Sequence, residues 1–197
     1  ENATVVITAL DQTLAADLSG ITTNAVTAAF DADGTFTGNL GTATTTVADS
    51  VTMTAAYNVL NGKTVNHDGS ESAQALVVII ASADAAADLS NITSDITNLT
   101  ANFSETQTFI GNLDSKTASV ANDITVTATA ADVTGDTIAA AGNGNIAVTA
   151  LHSTLAADLS GLSSSTGAVT AAFDGTGTFT GNLGTATTTV ADSVTMT

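Results

Sequence analysis

The sequence predicts an all-β fold: a parallel β-solenoid, that is, a right-handed β-helix, of about eight coils. Three observations lead there. Residues 34–54, GTFTGNLGTATTTVADSVTMT, return letter for letter as residues 177–197, the behaviour of a building unit used twice. The chain contains no proline, where average usage of about 5% would supply roughly ten in a chain of this length. Proline cannot donate to a backbone ladder, so it is excluded where nearly every segment pairs on both sides. Finally, Val51 and Met53 alternate with Thr52 and Thr54, and Ile124 and Val126 with Thr125 and Thr127, the period of two of a half-buried strand. The alternative architecture is a row of small antiparallel β-sandwiches. At about 70 residues apiece these would be short beside an immunoglobulin-like domain of about 100, and there is no Trp for such a core.

In chain order the elements form one continuous repeat segment with a period of about 70 residues. It comprises copy one (1–74), copy two (75–145) and a truncated copy three (146–197). Each copy passes through a marker, ADLSGI at 16–21, ADLSNI at 87–92 and ADLSGL at 157–162. A strand ending in Phe follows (Phe30, Phe103, Phe173), then a second Phe (Phe36, Phe109, Phe179). Next come TGNL, IGNL and TGNL, ending at Leu40, Leu113 and Leu183. The β-branched runs VADSVTMT (47–54 and 190–197) and VANDITVT (120–127) supply strand formers. VLNGKTV (59–65) and DVTGDTI (132–138) continue the first two copies.

A finer period of roughly 20 to 29 residues runs inside each copy, the range in which solenoids stack one supersecondary unit on the next. Its corner position reads Asp17, Asn39, Val59, Asp88, Asn112, Asp132, Asp158 and Asn182. ALVVIIA (75–81) lacks alternation and reads as a strand covered on both faces. ADAAADL (83–89) is rich in helix-forming alanine but is kept as a corner, because its equivalents QTLAADL and STLAADL are short and flanked by strand. The polar insertions Asn66–Gln74 and Ala139–Asn145 read as surface loops.

Composition narrows the function. Nineteen acids against two lysines and no arginine give a formal charge of -17, which argues against nucleic acid or an anionic membrane face as partner. No cysteine is present, which excludes a disulfide framework, a thiolate metal site and a Cys nucleophile. The longest apolar run, Ala75–Ala81, is far below the roughly 20 residues that span a bilayer, so no membrane insertion is expected. Glu1 is not an initiator, and any targeting signal is expected outside this stretch.

Internal copies test each candidate for chemistry, since a site that matters in every unit should recur at the matching position. His152 aligns with Asp11, His67 sits in an insertion, and Lys63 aligns with Asp136, so none reads as a catalyst. No enzyme and no catalytic residue are expected. Asp31 and Asp33, in FDADGTF, resemble the opening of a calcium loop and are candidates for weak Ca2+ binding. Their counterparts FSETQTF and FDGTGTF lose a carboxylate or both, which favours a plain turn. Asp17, Asp88 and Asp158 recur in all copies and read first as structural turn residues, with calcium decoration second. No cofactor is required; calcium is the one ion these turns could take. The Asn-x-Ser/Thr matches at Asn2, Asn91, Asn98 and Asn102 are what chance supplies in a chain this rich in Ser and Thr. Runs of TxT at 42–46, 125–129 and 185–189 suit the wet face of a strand, or a flat ice-binding array.

The succession SVTMTA, LNGKTV, LVVII, ADLSGI and TFTGNL resembles the Thr/Ala/Val-rich β-strand repeats of giant secreted bacterial adhesins and S-layer-like surface proteins. The resemblance spans the whole chain. It implies an extracellular, cell-surface location and a structural role as stalk or filament spacer in adhesion or an extracellular layer. The implied partners are further copies of the repeat in cis, with end-to-end self-association into filaments as an option. The second expectation, of a different class, is a cation-dependent or ice-binding module.

Overall fold

The computed structural model describes residues 3–23, 25–69 and 73–197. Asn2, with its glycosylation motif, and residues 70–72 of the first insertion lie outside them. Among these residues the protein is mostly β, with two four-residue α-helices, and its sheets are parallel. Strand direction therefore overturns the alternative of antiparallel sandwiches. Two compact units are present: Glu1–Ile79 with Leu89–Thr100, and Ile80–Asp88 with Ala101–Thr197.

In the first unit the chain runs β1 (Thr4–Ile7), β2 (Ala25–Phe30), β3 (Gly34–Phe36), β4 (Thr44–Val47), β5 (Thr52–Ala56), helix α1 (Tyr57–Leu60), β6 (Thr64–His67) and β7 (Ala75–Ile80). One sheet has the order β1-β2-β4-β6, and β3, β5 and β7 pair side by side in another. Ladder partners lie 17 to 21 residues apart in sequence: Thr4 faces Ala25, Thr27 faces Thr44, and Thr44 faces Thr64. Parallel neighbours need such a crossover, since a tight hairpin can join only antiparallel strands.

Alternation sets which side chains are buried. In β2, Val26, Ala28 and Phe30 point inward, and in β5 Met53 and Ala55 do. The β7 run also alternates: Leu76, Val78 and Ile80 are fully buried, whereas Ala75, Val77 and Ile79 are half-buried. The strand is thus covered on one face, not two, and an all-apolar sequence has hidden a period of two. Asn66 and His67 close β6 and pair with Thr46 and Val47, so the first insertion starts later than the sequence implies.

The second unit continues with β8 (Leu99–Phe103, divided between the units), β9 (Gln107–Phe109), β10 (Thr117–Val120), β11 (Thr125–Thr129), α2 (Ala130–Val133), β12 (Ile138–Ala140), β13 (Asn145–Thr149), β14 (Leu162–Ser164), β15 (Val169–Phe173) and β16 (Thr187–Val190). One sheet has the order β9-β11-β13-β15-β16; β10, β12 and β14 form a second ladder. Val126 faces Ile146, which faces Val169, a buried apolar column three strands deep. Phe103 meets Phe109 edge to face, with ring centroids 5.1 Å apart, a geometry that adds about 1 kcal/mol to plain burial. Ala139 and Ala140 belong to β12 and Asn145 opens β13, so only the middle of that insertion is a loop.

The one-turn helices are absent from the sequence reading. Val59 and Asp132, two of the corner positions, stand inside them. At α2, Thr129 and Asp132 form a capping box, which satisfies amides a helix start would leave open. Gly62 (φ 70) and Gly135 (φ 78) then turn the chain into the next strand, a left-handed step that costs glycine little. ADAAADL is neither strand nor α-helix; Ser82–Asp84 is a single 3-10 turn.

Candidate functional site

The residues that recur in every copy gather at the corners. In the TGNL and IGNL motifs a Cβ on Gly38, Gly111 or Gly181 would lie 2.0, 2.0 or 2.1 Å from the carbonyl oxygen of Ala16, Ala87 or Ala157. Only a bare backbone fits there. That contact seats the next residue: the amides of Asn39, Asn112 and Asn182 donate to the same three carbonyls at 2.9, 2.8 and 2.9 Å. Asp17 thereby sits beside Asn39, Asp88 beside Asn112 and Asp158 beside Asn182, each as a parallel bridge.

Their side chains serve the backbone. Asp17 Oδ1 accepts from the amide of Ser19 at 2.9 Å and Asp158 Oδ1 from that of Ser160 at 3.0 Å. Asn39, Asn112 and Asn182 do the same for Gly41, Asp114 and Gly184. Asn112 also donates to Asp88 Oδ1 at 3.1 Å. The hydroxyl and amide of Ser19 and of Ser160 hold the carboxyls of Asp17 and Asp158 below their usual range. An Asp and a neutral Asn in register avoid the repulsion of two adjacent carboxylates, about 1 kcal/mol at 4 Å even in water.

A second recurring position lies six residues before each of these aspartates. Asp11 Oδ1 accepts from the amide of Asp31 at 3.1 Å, and the Ser82 hydroxyl and amide donate to Glu105 Oε2 at 2.5 and 3.0 Å. His152 Nδ1 bonds Asp174 Oδ1. The Ser153 hydroxyl lies 3.0 Å from His152 Nε2, so Ser153, His152 and Asp174 have the connectivity of an activated serine. The other copies fix its meaning: the position joins one corner to the end of the following Phe-bearing strand, through whatever donor and acceptor are at hand. Gly175 leaves room for it, since a Cβ there would sit 2.5 Å from the imidazole.

Asp31 and Asp33 are exposed, and Asp33 Oδ1 accepts from the amide of Thr52 at 2.7 Å. The equivalents Thr106 and Thr176 offer hydroxyl oxygens to the amides of Thr125 and Thr195 at 3.1 and 3.5 Å. The copies retain an oxygen acceptor and discard the carboxylate. Among the described residues no three His, Cys, Asp or Glu side chains gather as a metal site.

The lysines serve structure as well. Lys63 Nζ donates to the carbonyl of Gly41 at 2.5 Å, and Lys116 Nζ lies 3.6 Å from Asp114 Oδ2. Asp136, at the position of Lys63, is half-buried, and desolvation raises its pKa.

His67 lines a cavity of about 150 Å³ with Gln74, Asp95 and Thr97. Its Nδ1 accepts from the amide of Gly69 at 2.9 Å, which leaves Nε2, 3.4 Å from Asp95 Oδ2, as the protonated nitrogen. Asp95 Oδ1 also accepts from the His67 amide at 2.7 Å. Nothing in the sequence signalled this pair, because 28 residues separate its members.

Threonine forms one extended surface feature. Across the β9–β16 sheet a single outward column reads Thr108, Thr127, Ala147, Thr170, Thr187. No family model, curated protein or solved structure shows a significant match to the chain.

Proposed function

We propose that the chain is a structural segment of a parallel β-solenoid of about eight coils, a spacer in an extracellular stalk or filament. One observation carries the reading: strand pairs within both units run parallel, and their partners lie from 17 residues apart (Thr27 and Thr44) to 24 (Ile138 and Leu162). In such an arrangement backbone hydrogen bonds run from coil to coil, and reach grows with copy number at about 4.8 Å per coil. The recurrent corner side chains fit the role, because Asp17, Asp158, Asn39, Asn112 and Asn182 each accept from a backbone amide. The net charge of -17 favours solubility and disfavours lateral clumping. Small-angle scattering on one, two and three tandem copies of the segment tests this. The maximum dimension should rise in proportion to copy number; growth as the cube root of mass would refute the spacer.

The threonine column supports a second reading, an ice-binding face. Thermal hysteresis of the solution freezing point, abolished by Thr127→Lys, would favour it over the spacer.

A further inference from the structure

Copy three differs from the other two at one corner in the chemistry it carries. Leu151 is fully buried and anchors the 3-10 turn Leu151–Ser153, which the Ser153 amide closes by donating to the Ala150 carbonyl at 3.0 Å. His152 is left half-buried and Ser153 exposed. The imidazole reaches the end of β15, where Nδ1 bonds Asp174 Oδ1, and the Ser153 hydroxyl lies 3.0 Å from Nε2. A carboxylate on Nδ1 fixes the tautomer: the proton sits on Nδ1, Nε2 keeps its lone pair, and the Ser153 hydroxyl donates to it. The tie between corner and strand is common to the three copies, but the imidazole is not. Copy one has Asp11 and Gln12 at these two positions, and copy two has Ser82 and Ala83. Residue 175 follows the same division. A Cβ there would lie 2.5 Å from the ring, and copy three has Gly where the others have Ala32 and Glu105. Two positions far apart in sequence thus differ together, in the way that seats one ring.

We propose that Ser153 is a nucleophile, acylated by small carboxylic esters that carry a good leaving group. This goes beyond the spacer role and does not depend on it. Ser153 Oγ attacks the ester carbonyl carbon while its proton passes to His152 Nε2. The Oγ–C bond forms, the bond from that carbon to the leaving oxygen breaks, and the leaving group departs with the proton from Nε2. Acyl-Ser153 remains and the imidazole is neutral again. Asp174 is a positioning residue, which holds the ring and its tautomer and touches no reacting atom. Because Ser153 is exposed, the reactivity of the ester selects the substrate, and the shape of the acyl group does not. Copy two supplies a comparison within the same chain. Ser82 is also exposed, but its hydroxyl donates to Glu105, and a carboxylate is a far weaker base than an imidazole. Internal copies argue against a role shared by every unit; they leave open one that belongs to a single copy.

The test treats the whole chain with p-nitrophenyl acetate at neutral pH and locates the acetyl group by peptide mass spectrometry. Acetyl should appear on Ser153 about a hundredfold faster than on Ser82, the contribution of a positioned general base. Ser153→Ala should remove that label. His152→Asp installs the residue of copy one, an arrangement the chain already folds around, and should slow labelling of residue 153 about a hundredfold. Gly175→Ala, which pushes the ring aside, should slow it in the same direction. Asp174→Asn should slow it at least about tenfold while labelling of Ser82 stays unchanged, a selectivity that a purely structural tie would not produce. Acetyl that goes only to amines and imidazoles and spares Ser153 overturns the proposal. So does a Ser153 rate that His152→Asp leaves untouched.

Discussion

Replacing Gly111 by Ala places a methyl carbon 2.0 Å from the carbonyl oxygen of Ala87 and 2.7 Å from the Phe109 ring. Neither neighbour can yield cheaply. That carbonyl accepts the Asn112 amide at 2.8 Å, and Phe109 is fully buried. Relief therefore requires the corner to separate from the strand above it. Forcing a carbon into a packed site costs about 1–3 kcal/mol, and loosening the backbone hydrogen bond about 1 more. Restricting the unfolded chain returns about 0.4–1 kcal/mol. The net loss of about 2–3 kcal/mol corresponds to a fall in Tm of roughly 5–10 °C in a chain of this size. Calorimetry on three variants isolates the cause. Gly20→Ala, where a Cβ meets nothing within 4 Å, should melt at or above the parent. Gly181→Ala meets the same backbone obstacle, the Ala157 carbonyl that accepts the Asn182 amide at 2.9 Å, so it should also destabilise, by less than Gly111→Ala only to the extent that the half-buried Phe179 moves aside. A Gly111→Ala protein melting within about 2 °C of the parent would refute the close-approach argument.

Three further outcomes follow from the same geometry. The hydroxyl of Thr45 is buried without a hydrogen-bond partner, so Thr45→Val should stabilise by about 1 kcal/mol while Thr188→Val, at the half-buried twin, changes the melting point little. Asp33→Thr, the residue two of the three copies use, should be neutral, and Asp33→Ala should cost about 1 kcal/mol by leaving the Thr52 amide open; a calcium-dependent Tm shift lost in Asp33→Thr would contradict this. The depressed carboxyl pKa values of Asp17 and Asp158 contribute stability that is present above the unfolded carboxylate range and lost as pH falls through their folded values. Asn at both positions keeps the oxygen acceptor, so the double variant should show a shallower acid limb in urea titrations between about pH 5 and pH 2; superimposable limbs would count against it.

Strand class, period and the corner aspartates were legible because each shows itself in short-range pattern: Thr52 against Met53, Asp17 two residues before Ser19. The repeat extended that reach, since the matching copies place Thr106 and Thr176 where the first has Asp33. What escaped notice depends on pairing between segments far apart in sequence. β7 looked doubly covered because Ala75, Val77 and Ile79 are as apolar as the residues they alternate with. The one-turn helices at Tyr57 and Ala130 are too short to leave a period. His67 meets Asp95 across 28 residues, and Ser82 meets Glu105 across 23, so neither separation resembles any local motif.

Two interchangeable stretches in one polypeptide invite confusion during folding, since either can settle into the berth meant for the other. The position six residues before each marker aspartate differs from copy to copy, where the duplicated stretch does not. Asp11 accepts an amide, Ser82 seeks a carboxylate, and His152 takes Asp174. Asp11 beside Asp31 puts a carboxylate on both sides of that corner, whereas Ser82 with Glu105 and His152 with Asp174 each set a side-chain donor against an acceptor. A chain assembled from near-duplicates thus carries its differences in a few side chains at the margin, while the duplicated text stays the same.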